Sequence, residues 1–180
     1  MKTLNLLVLS TLSLVLLGSC STRLTYFTQD LYERYNWSEN DLKKIQFYVS
    51  QDIVLKRELK GGSSDIVSGT IKIEDGRQIE EVIIRKGTPG AFIFSPKSER
   101  FAIGFEDSNE RYLMFGPSPK FSDRYVMLAS DWNRRTGEVT YDNKKWRVSS
   151  DDAFAALLVD LRKISKVDVN SRVAKGRKVD

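Results

Sequence analysis

The sequence contains no histidine and only one cysteine among its 180 residues. Histidine is the side chain that most often serves as a base near neutral pH, so its absence removes most nucleophile–base pairs. A protein zinc site normally uses histidine or cysteine ligands, so the composition also excludes a metal centre of that kind. A single cysteine forms no disulfide within the chain. The folded domain must therefore gain its stability without a covalent cross-link.

Carboxylates remain as groups for acid–base chemistry, and the candidate pairs are Glu80-Glu81, Glu106-Asp107 and Asp151-Asp152. The first pair falls in a predicted strand, where successive side chains point to opposite faces. The second pair has the composition of a turn, and the third suits the positive end of a helix dipole. Phosphate-binding glycine motifs and EF-hand spacing are also missing. We therefore predict that the protein is not an enzyme, with no catalytic residue and no metal site.

Neither sign of charge dominates the chain, which has 29 Lys and Arg against 24 Asp and Glu and a net charge of +5. Interspersed charges are typical of a soluble surface and do not indicate a nucleic-acid-binding domain. The excess lies at the C-terminus, where residues 162–180 hold seven basic and two acidic side chains. We interpret residues 167–180 either as a solvated basic tail or as an arm that contacts anionic lipid, peptidoglycan or an acidic partner. The candidate contact residues are Arg172, Lys175, Arg177 and Lys178.

A hydrophobic run does occur at the start of the chain, from Leu4 to Leu17, after Lys2 and before small residues. It is shorter than the about 20 apolar residues that a membrane helix needs, and polar residues interrupt it. A short basic start, an apolar core and small residues are typical of a secretory signal peptide. The segment that follows, Leu17-Gly18-Ser19-Cys20, resembles the lipobox of bacterial lipoproteins.

This resemblance implies cleavage before Cys20, a diacylglycerol on its thiol and an acylated amino terminus. The covalent lipid would then be the only attached group, and two or three acyl chains anchor a protein far more stably than one. In lipoproteins of Gram-negative bacteria, aspartate after the cysteine retains the protein in the inner membrane, whereas this chain has Ser21. The resemblance therefore implies the outer membrane. Because no acidic residue precedes Asp30, it favours the periplasmic face over the cell surface.

Four segments are predicted along the chain. Residues 1–19 form the signal peptide and residues 20–37 form a lipidated tether. Residues 38–166 form a single β-rich domain, and residues 167–180 form the basic tail. A domain of this length can bury one hydrophobic core without further support.

Short alternating runs separated by turn residues predict the domain fold, an antiparallel β-sandwich or barrel of about eight or nine strands. The run from Phe47 to Leu59 reads as one strand, and Asp75-Gly76 between two runs predicts a hairpin. Alternation assigns several apolar pairs to the buried face, and these include Ile71/Ile73 and Phe92/Phe94. Ala102 and Gly104 alternate with Phe101, Ile103 and Phe105, and these small residues predict tight packing or a close approach of another segment on the opposite face.

One helix is predicted at each end of the domain. Ser38, with Asp41 three residues later, resembles a capping box and predicts a short N-terminal helix. After Ser150, apolar residues recur at helical spacing and basic residues follow them, which predicts a C-terminal amphipathic helix. Its apolar stripe consists of Phe154, Leu157, Leu158, Leu161 and Ile164.

An aromatic cluster lies just before the predicted domain. Exposed aromatic residues can form a surface for a partner protein, and they can equally form a lid that packs on the core. Farther along, Met114 and Phe115 can line a pocket or belong to the core. The candidate partner-binding aromatic residues are Tyr26, Phe27, Tyr32, Tyr35 and Trp37.

The sequence thus favours a non-enzymatic, membrane-anchored lipoprotein, an accessory or structural subunit of an outer-membrane assembly that acts through protein–protein contacts. The alternative starts from the strand series followed by a helix, which resembles the architecture of lipocalins. That resemblance implies a binding module for a small apolar ligand or lipid. An open apolar interior in the structure would favour this alternative.

Overall fold

A computed structural model describes residues 23–59 and 70–164 of the chain. Cys20 and the four basic residues Arg172, Lys175, Arg177 and Lys178 lie outside the described residues. Within the described part, none of the helices is long and apolar enough to cross a membrane.

The described residues form thirteen strands and a few short helices. The strands are β1 (Thr25–Tyr26), β2 (Gln46–Val49), β3 (Ile53–Glu58), β4 (Thr70–Glu74), β5 (Arg77–Ile84), β6 (Pro89–Lys97), β7 (Arg100–Gly104), β8 (Tyr112–Ser118), β9 (Arg124–Met127), β10 (Ser130–Asn133), β11 (Thr136–Tyr141), β12 (Lys144–Ser149) and β13 (Leu157–Val159). The α-helices are α1 (Gln29–Tyr35), α2 (Glu39–Leu42) and α3 (Leu161–Ile164), and two 3-10 helices span Pro119–Phe121 and Asp152–Phe154.

The strands form two antiparallel sheets. The seven-stranded sheet has the order β1-β13-β2-β6-β7-β8-β9, and the six-stranded sheet has the order β10-β11-β12-β3-β5-β4. Residues from the inner faces of both sheets contribute to a single buried cluster. The predicted mainly β fold class is therefore confirmed, and the arrangement is sandwich-like.

The predicted number of about eight or nine strands is too low, partly because one predicted strand is divided into two strands in the structure. The run from Phe47 to Leu59 divides at residues 50–52, so that β2 joins the seven-stranded sheet and β3 joins the six-stranded sheet. The Ser50 hydroxyl accepts a hydrogen bond from the Ala156 backbone N–H at 2.9 Å and fixes this crossing. Both halves keep their inward alternation, and Phe47 and Ile53 are fully buried.

The interior is filled by aromatic rings. Phe27, Phe101 and Tyr125 have no exposed surface, and the centroids of the Phe101 and Tyr125 rings are 4.7 Å apart. At the sheet edge, the Tyr125 N–H donates to the Phe27 carbonyl at 3.0 Å, and the Met127 N–H donates to the Ala155 carbonyl at 2.9 Å. Strand β9 therefore has a covered outer edge, and the seven-stranded sheet curls back on itself around the rings.

The predicted tether over residues 20–37 is wrong for its described part, which belongs to the folded domain. Strand β1 pairs with β13, and the Thr28 hydroxyl caps α1 by accepting a hydrogen bond from Leu31. Phe27, Leu31 and Trp37 are buried. These apolar side chains complete the core, which explains why the segment is ordered rather than extended.

The predicted C-terminal helix is also wrong over most of its length. Residues 152–154 form one 3-10 turn, Leu157–Val159 forms a strand between β1 and β2, and only Leu161–Ile164 is α-helical. Ala155, Leu157 and Val159 are buried in alternation, whereas Phe154 of the predicted stripe is exposed. The apolar residues of this segment fit the spacing of a helix and the alternation of a strand equally well. The segment forms a strand because it pairs with β1 on one side and with β2 on the other.

Two local predictions hold in the structure. Ser38 and Asp41 form the reciprocal capping box of α2, although that helix ends at Leu42. Asp75 and Gly76 both have positive φ, at 49° and 75°, and join β4 to β5. The predicted burial of Ile71 and Ile73 is wrong, because β4 is the edge strand of its sheet and Ile73 is 76% exposed.

Candidate binding groove

An irregularity in β6 turns one aromatic side chain out of the core. Phe92 pairs with Ile103 and Phe94 pairs with Ala102, so the register shifts by one residue between them. Phe92 stays buried inside the sheet, whereas Phe94 is 36% exposed on the outer face. The predicted shared face of Phe92 and Phe94 is therefore wrong, because a β-bulge breaks strict alternation.

Small residues on the outer face of β7 and β8 let neighbouring side chains lie close to the sheet. A Cβ atom on Gly104 would approach the Ile93 side chain to 2.8 Å, and one on Gly116 would approach the Leu128 side chain to 3.1 Å. Ala102 in the same face has no exposed surface. The small residues in this strand correctly predicted a close approach on the opposite face. A groove lies beside them, lined by other residues of the same strands.

The groove has a volume of about 530 Å³ and a mainly apolar wall formed by Phe94, Tyr112, Met114 and Leu128. Phe94 and Tyr112 meet edge to face, with ring centroids 5.1 Å apart. The facing wall comes from the six-stranded sheet, where Glu138 and Thr140 of β11 line the opening. Met114 therefore lines a groove, which is one of the two roles predicted for it, and Phe115 belongs to the core.

The charge of the groove is positive at one end. Lys97 and Arg100, at the β6–β7 connection, line it and form no ion pair with any described residue. On the facing wall, Glu138 accepts a hydrogen bond from Lys145 at 2.7 Å, which raises the pKa of Lys145. The acidic charge of the groove is thereby compensated, and the two cations at its end are not.

Other depressions on the surface are lined largely by charged side chains. In the depression on the outer face of the six-stranded sheet these side chains pair with each other, since Lys56 lies 2.8 Å from Glu74 and Arg77 lies 3.5 Å from Glu58. Ligand sites are mostly apolar with a few convergent polar groups. The groove around Phe94 fits that description better than the charged depressions do.

Three carboxylates of the candidate pairs, Glu80, Glu81 and Glu106, are engaged by basic or hydroxyl side chains. Glu80 and Glu81 lie on opposite faces of β5, as predicted, and they pair with Arg57 and Lys72 respectively. Glu106 accepts hydrogen bonds from the Tyr141 hydroxyl and the Arg111 guanidinium, at 2.5 and 2.6 Å. Among residues 23–59 and 70–164, no group of three or more acidic, histidine or cysteine side chains could hold a metal ion.

The predicted aromatic cluster divides between core and surface. Phe27 and Trp37 are buried and Tyr32 packs against the core, so these three belong to a lid rather than to a partner surface. Tyr26 and Tyr35 are exposed, and Tyr35 stacks on Trp37 with ring centroids 4.7 Å apart. None of the five lines the groove. Sequence reasoning missed Phe94 because the bulge in β6 leaves no mark in the alternation.

The interior of the domain offers no support for a lipocalin-like ligand cavity, because the rings of Phe27, Phe101 and Tyr125 occupy it. Any ligand of moderate size would have to bind in an open groove of the surface. Comparison of the chain with family models, with curated proteins and with solved structures finds no match. The features of the chain that bear on its function are therefore the geometry of the groove and the N-terminal motif.

Proposed function

We propose that the protein is a lipid-anchored, non-enzymatic accessory subunit of an outer-membrane assembly that binds a partner protein in the groove around Phe94. One observation carries this proposal: the groove combines an apolar wall with two uncompensated cations, Lys97 and Arg100. Aromatic residues, methionine and arginine are enriched at protein interfaces. The lipobox-like segment that ends at Cys20 supports the membrane anchor.

The positive charge at one end of the groove favours a partner segment that carries an acidic side chain. An apolar segment of a partner protein would pack on Met114 and Leu128, and an acidic side chain in that segment would meet Lys97 and Arg100. Charge-assisted hydrogen bonds to a carboxylate are about twice as strong as neutral ones, so this end of the groove would fix the direction of the segment. The groove thus provides both apolar burial and orientation for one short stretch of a partner.

A photocrosslinking amino acid at position 112 tests the proposal in native membranes. Tyr112 lines the groove, and the matched control position is Ile73, which is more exposed but lies on the other sheet. We expect one defined protein adduct from position 112, none of the same mass from position 73, and loss of the adduct in Met114→Asp. Mass spectrometry should place the crosslink near an acidic residue of the partner.

The same experiment decides between the proposal and its alternative. The groove also has the volume of a small-ligand site, and its cationic end would suit the carboxylate of a fatty acid. An adduct with a lipid or another small apolar molecule would favour a binding module and overturn the partner proposal. Equal adducts from positions 112 and 73 would contradict both, because the groove would then have no selective occupant.

A further inference from the structure

A row of two tyrosines, one leucine and one proline crosses the outer surface, starting at the N-terminal strand. Tyr26 pairs with Leu158, Leu158 pairs with Tyr48, and Tyr48 pairs with Pro89, so four side chains from β1, β13, β2 and β6 lie in one line. We call these four residues the tyrosine row. The neighbours of the row in β13, Leu157 and Val159, are fully buried, so Leu158 faces outward.

The tyrosine row is partly open to solvent and carries a cation at one end. Tyr26 is 38% exposed, Pro89 is exposed, and Tyr48 and Leu158 are half-buried. The Arg124 guanidinium lies over the Tyr26 ring, 3.8 Å from its centroid. Arg124 forms no ion pair with any described residue. The cation–π contact orients Arg124 without neutralising its charge.

The length of chain between the row and Cys20 limits where this surface can lie. Four residues, 21–24, separate Cys20 from the start of β1 at Thr25. Five extended steps of about 3.5 Å each span at most roughly 18 Å. If Cys20 carries the lipid, the start of β1 at Thr25 is held within that distance of the acylated residue, and Tyr26, where the row begins, lies one step farther along the chain.

We infer that the tyrosine row lies against the surface of the bilayer that holds the lipid anchor, with Arg124 at an anionic phospholipid headgroup. The inference rests on the proposed lipid anchor and goes beyond it, because it assigns an orientation to the domain. Tyrosine is enriched at membrane–water interfaces, where its ring is apolar and its hydroxyl is hydrated. Arg23, also exposed, adds a second positive charge at the same edge. The Phe94 groove is built from β6, β8 and adjoining residues, so the row does not occupy it.

Single spin labels on the full lipidated chain test the orientation. Cys20 is the only cysteine and its thiol carries the lipid, so a nitroxide would attach only to an engineered cysteine. Pro89→Cys places the label at the far end of the row, and Ile73→Cys is the control on the other sheet. On vesicles that contain phosphatidylglycerol, we expect the label at position 89 to be shielded from a water-soluble nickel chelate. The label at position 73 should remain accessible.

A charge variant tests the role of Arg124 in the same vesicles. One cation near an anionic surface changes the docked-to-undocked ratio about fivefold, so Arg124→Gln should lower the ratio of shielded to accessible label at position 89 by about that factor. Arg135→Gln, which removes an exposed arginine between β10 and β11, should leave that ratio unchanged. Equal effects of the two variants would overturn the assignment of Arg124.

Vesicle flotation of the same samples separates this inference from the proposed function. Protein that floats with the vesicles but leaves position 89 as accessible as position 73 would overturn the tyrosine-row contact and leave the anchor intact. Protein that does not float would overturn both. Shielding at position 89 that occurs in native membranes but not on vesicles would assign the row to a protein partner and so overturn the contact with lipid.

Discussion

The ring of Phe27 packs edge-on against the ring of Tyr125, with centroids 4.9 Å apart, and both residues have no exposed surface. The backbones of the same two residues are hydrogen-bonded, since the Tyr125 N–H donates to the Phe27 carbonyl at 3.0 Å. Phe27 lies only seven residues after Cys20 in the sequence. The chain that leaves the proposed anchor therefore enters the core almost at once.

Replacing Phe27 with alanine should destabilise the domain strongly. Phe27 also contacts the rings of Phe47 and Trp37, at 5.3 and 5.8 Å between centroids, so its loss would leave a cavity among them. Removal of a buried phenylalanine costs about 3–5 kcal/mol. Urea unfolding followed by fluorescence should show a lower midpoint for Phe27→Ala. Tyr35→Ala, which removes an exposed ring from the same segment, should change the free energy of unfolding much less; equal losses would contradict the packing argument.

The buried ion pair between Arg57 and Glu80 gives a second stability prediction. Glu80 has no exposed surface, and the Arg57 guanidinium also lies over the Trp146 ring, 5.2 Å from its centroid. Glu80→Ala would leave the half-buried Arg57 guanidinium without this carboxylate. Breaking a buried pair costs about 3–5 kcal/mol, so we expect a loss near the lower end of that range. Chemical unfolding would measure this loss.

A matched exposed pair lies in the same sheet. Glu58 lies 3.5 Å from Arg77 and both side chains are exposed, so Glu58→Ala should change the free energy of unfolding by about 0–1 kcal/mol. If the two variants unfold at the same denaturant concentration, the buried pair contributes no more than a surface pair.

Local sequence signals predicted the features that depend on few residues. The capping box at Ser38 and the turn at Asp75-Gly76 need only the backbone preferences of those residues. Alternation also placed the correct face of β3, β5 and β7 inward. These signals were sufficient for the fold class, because several short alternating runs with local connections lead to antiparallel sheets.

Features that depend on distant partners could not be predicted in this way. Residues 157–159 form a strand because β1 and β2, more than 100 residues earlier in the chain, pair with both of its edges. Phe27 and Trp37 are buried because α1 and its flanks cover the open side of the core. The groove depends on a single bulge before Phe94, which changes the face of one side chain without changing the pattern of residue types.

Stability should decrease in acid because two aspartates form stronger hydrogen bonds when they are ionised. The backbone N–H of Lys86 and the Arg85 guanidinium donate to Asp52, and they lower its pKa; the Ser38 hydroxyl and N–H lower the pKa of Asp41 in the same way. A lowered pKa in the folded state stabilises the protein above the unfolded value of about 3.9, and this contribution is lost as the pH falls through the folded value.

Urea midpoints at neutral pH and at about pH 3 would measure this effect. The double variant Asp41→Asn and Asp52→Asn should lose less stability than the wild type on acidification, because the two carboxylates no longer titrate. Its midpoint at neutral pH should already be lower. A variant with the same acid sensitivity as the wild type would show that other carboxylates carry the pH dependence.

Cys20→Ala should release the protein from the membrane and leave the fold unchanged. Each buried methylene of an acyl chain contributes about 0.8 kcal/mol, so losing two or three chains removes far more binding energy than a surface patch can replace. The tyrosine row would then give only weak, reversible binding to anionic vesicles. Cell fractionation and mass determination would check this, with Ser19→Ala as the control, since alanine keeps a small residue at that position. A Cys20→Ala protein that stayed in the membrane fraction would contradict the anchor and with it the orientation of the domain.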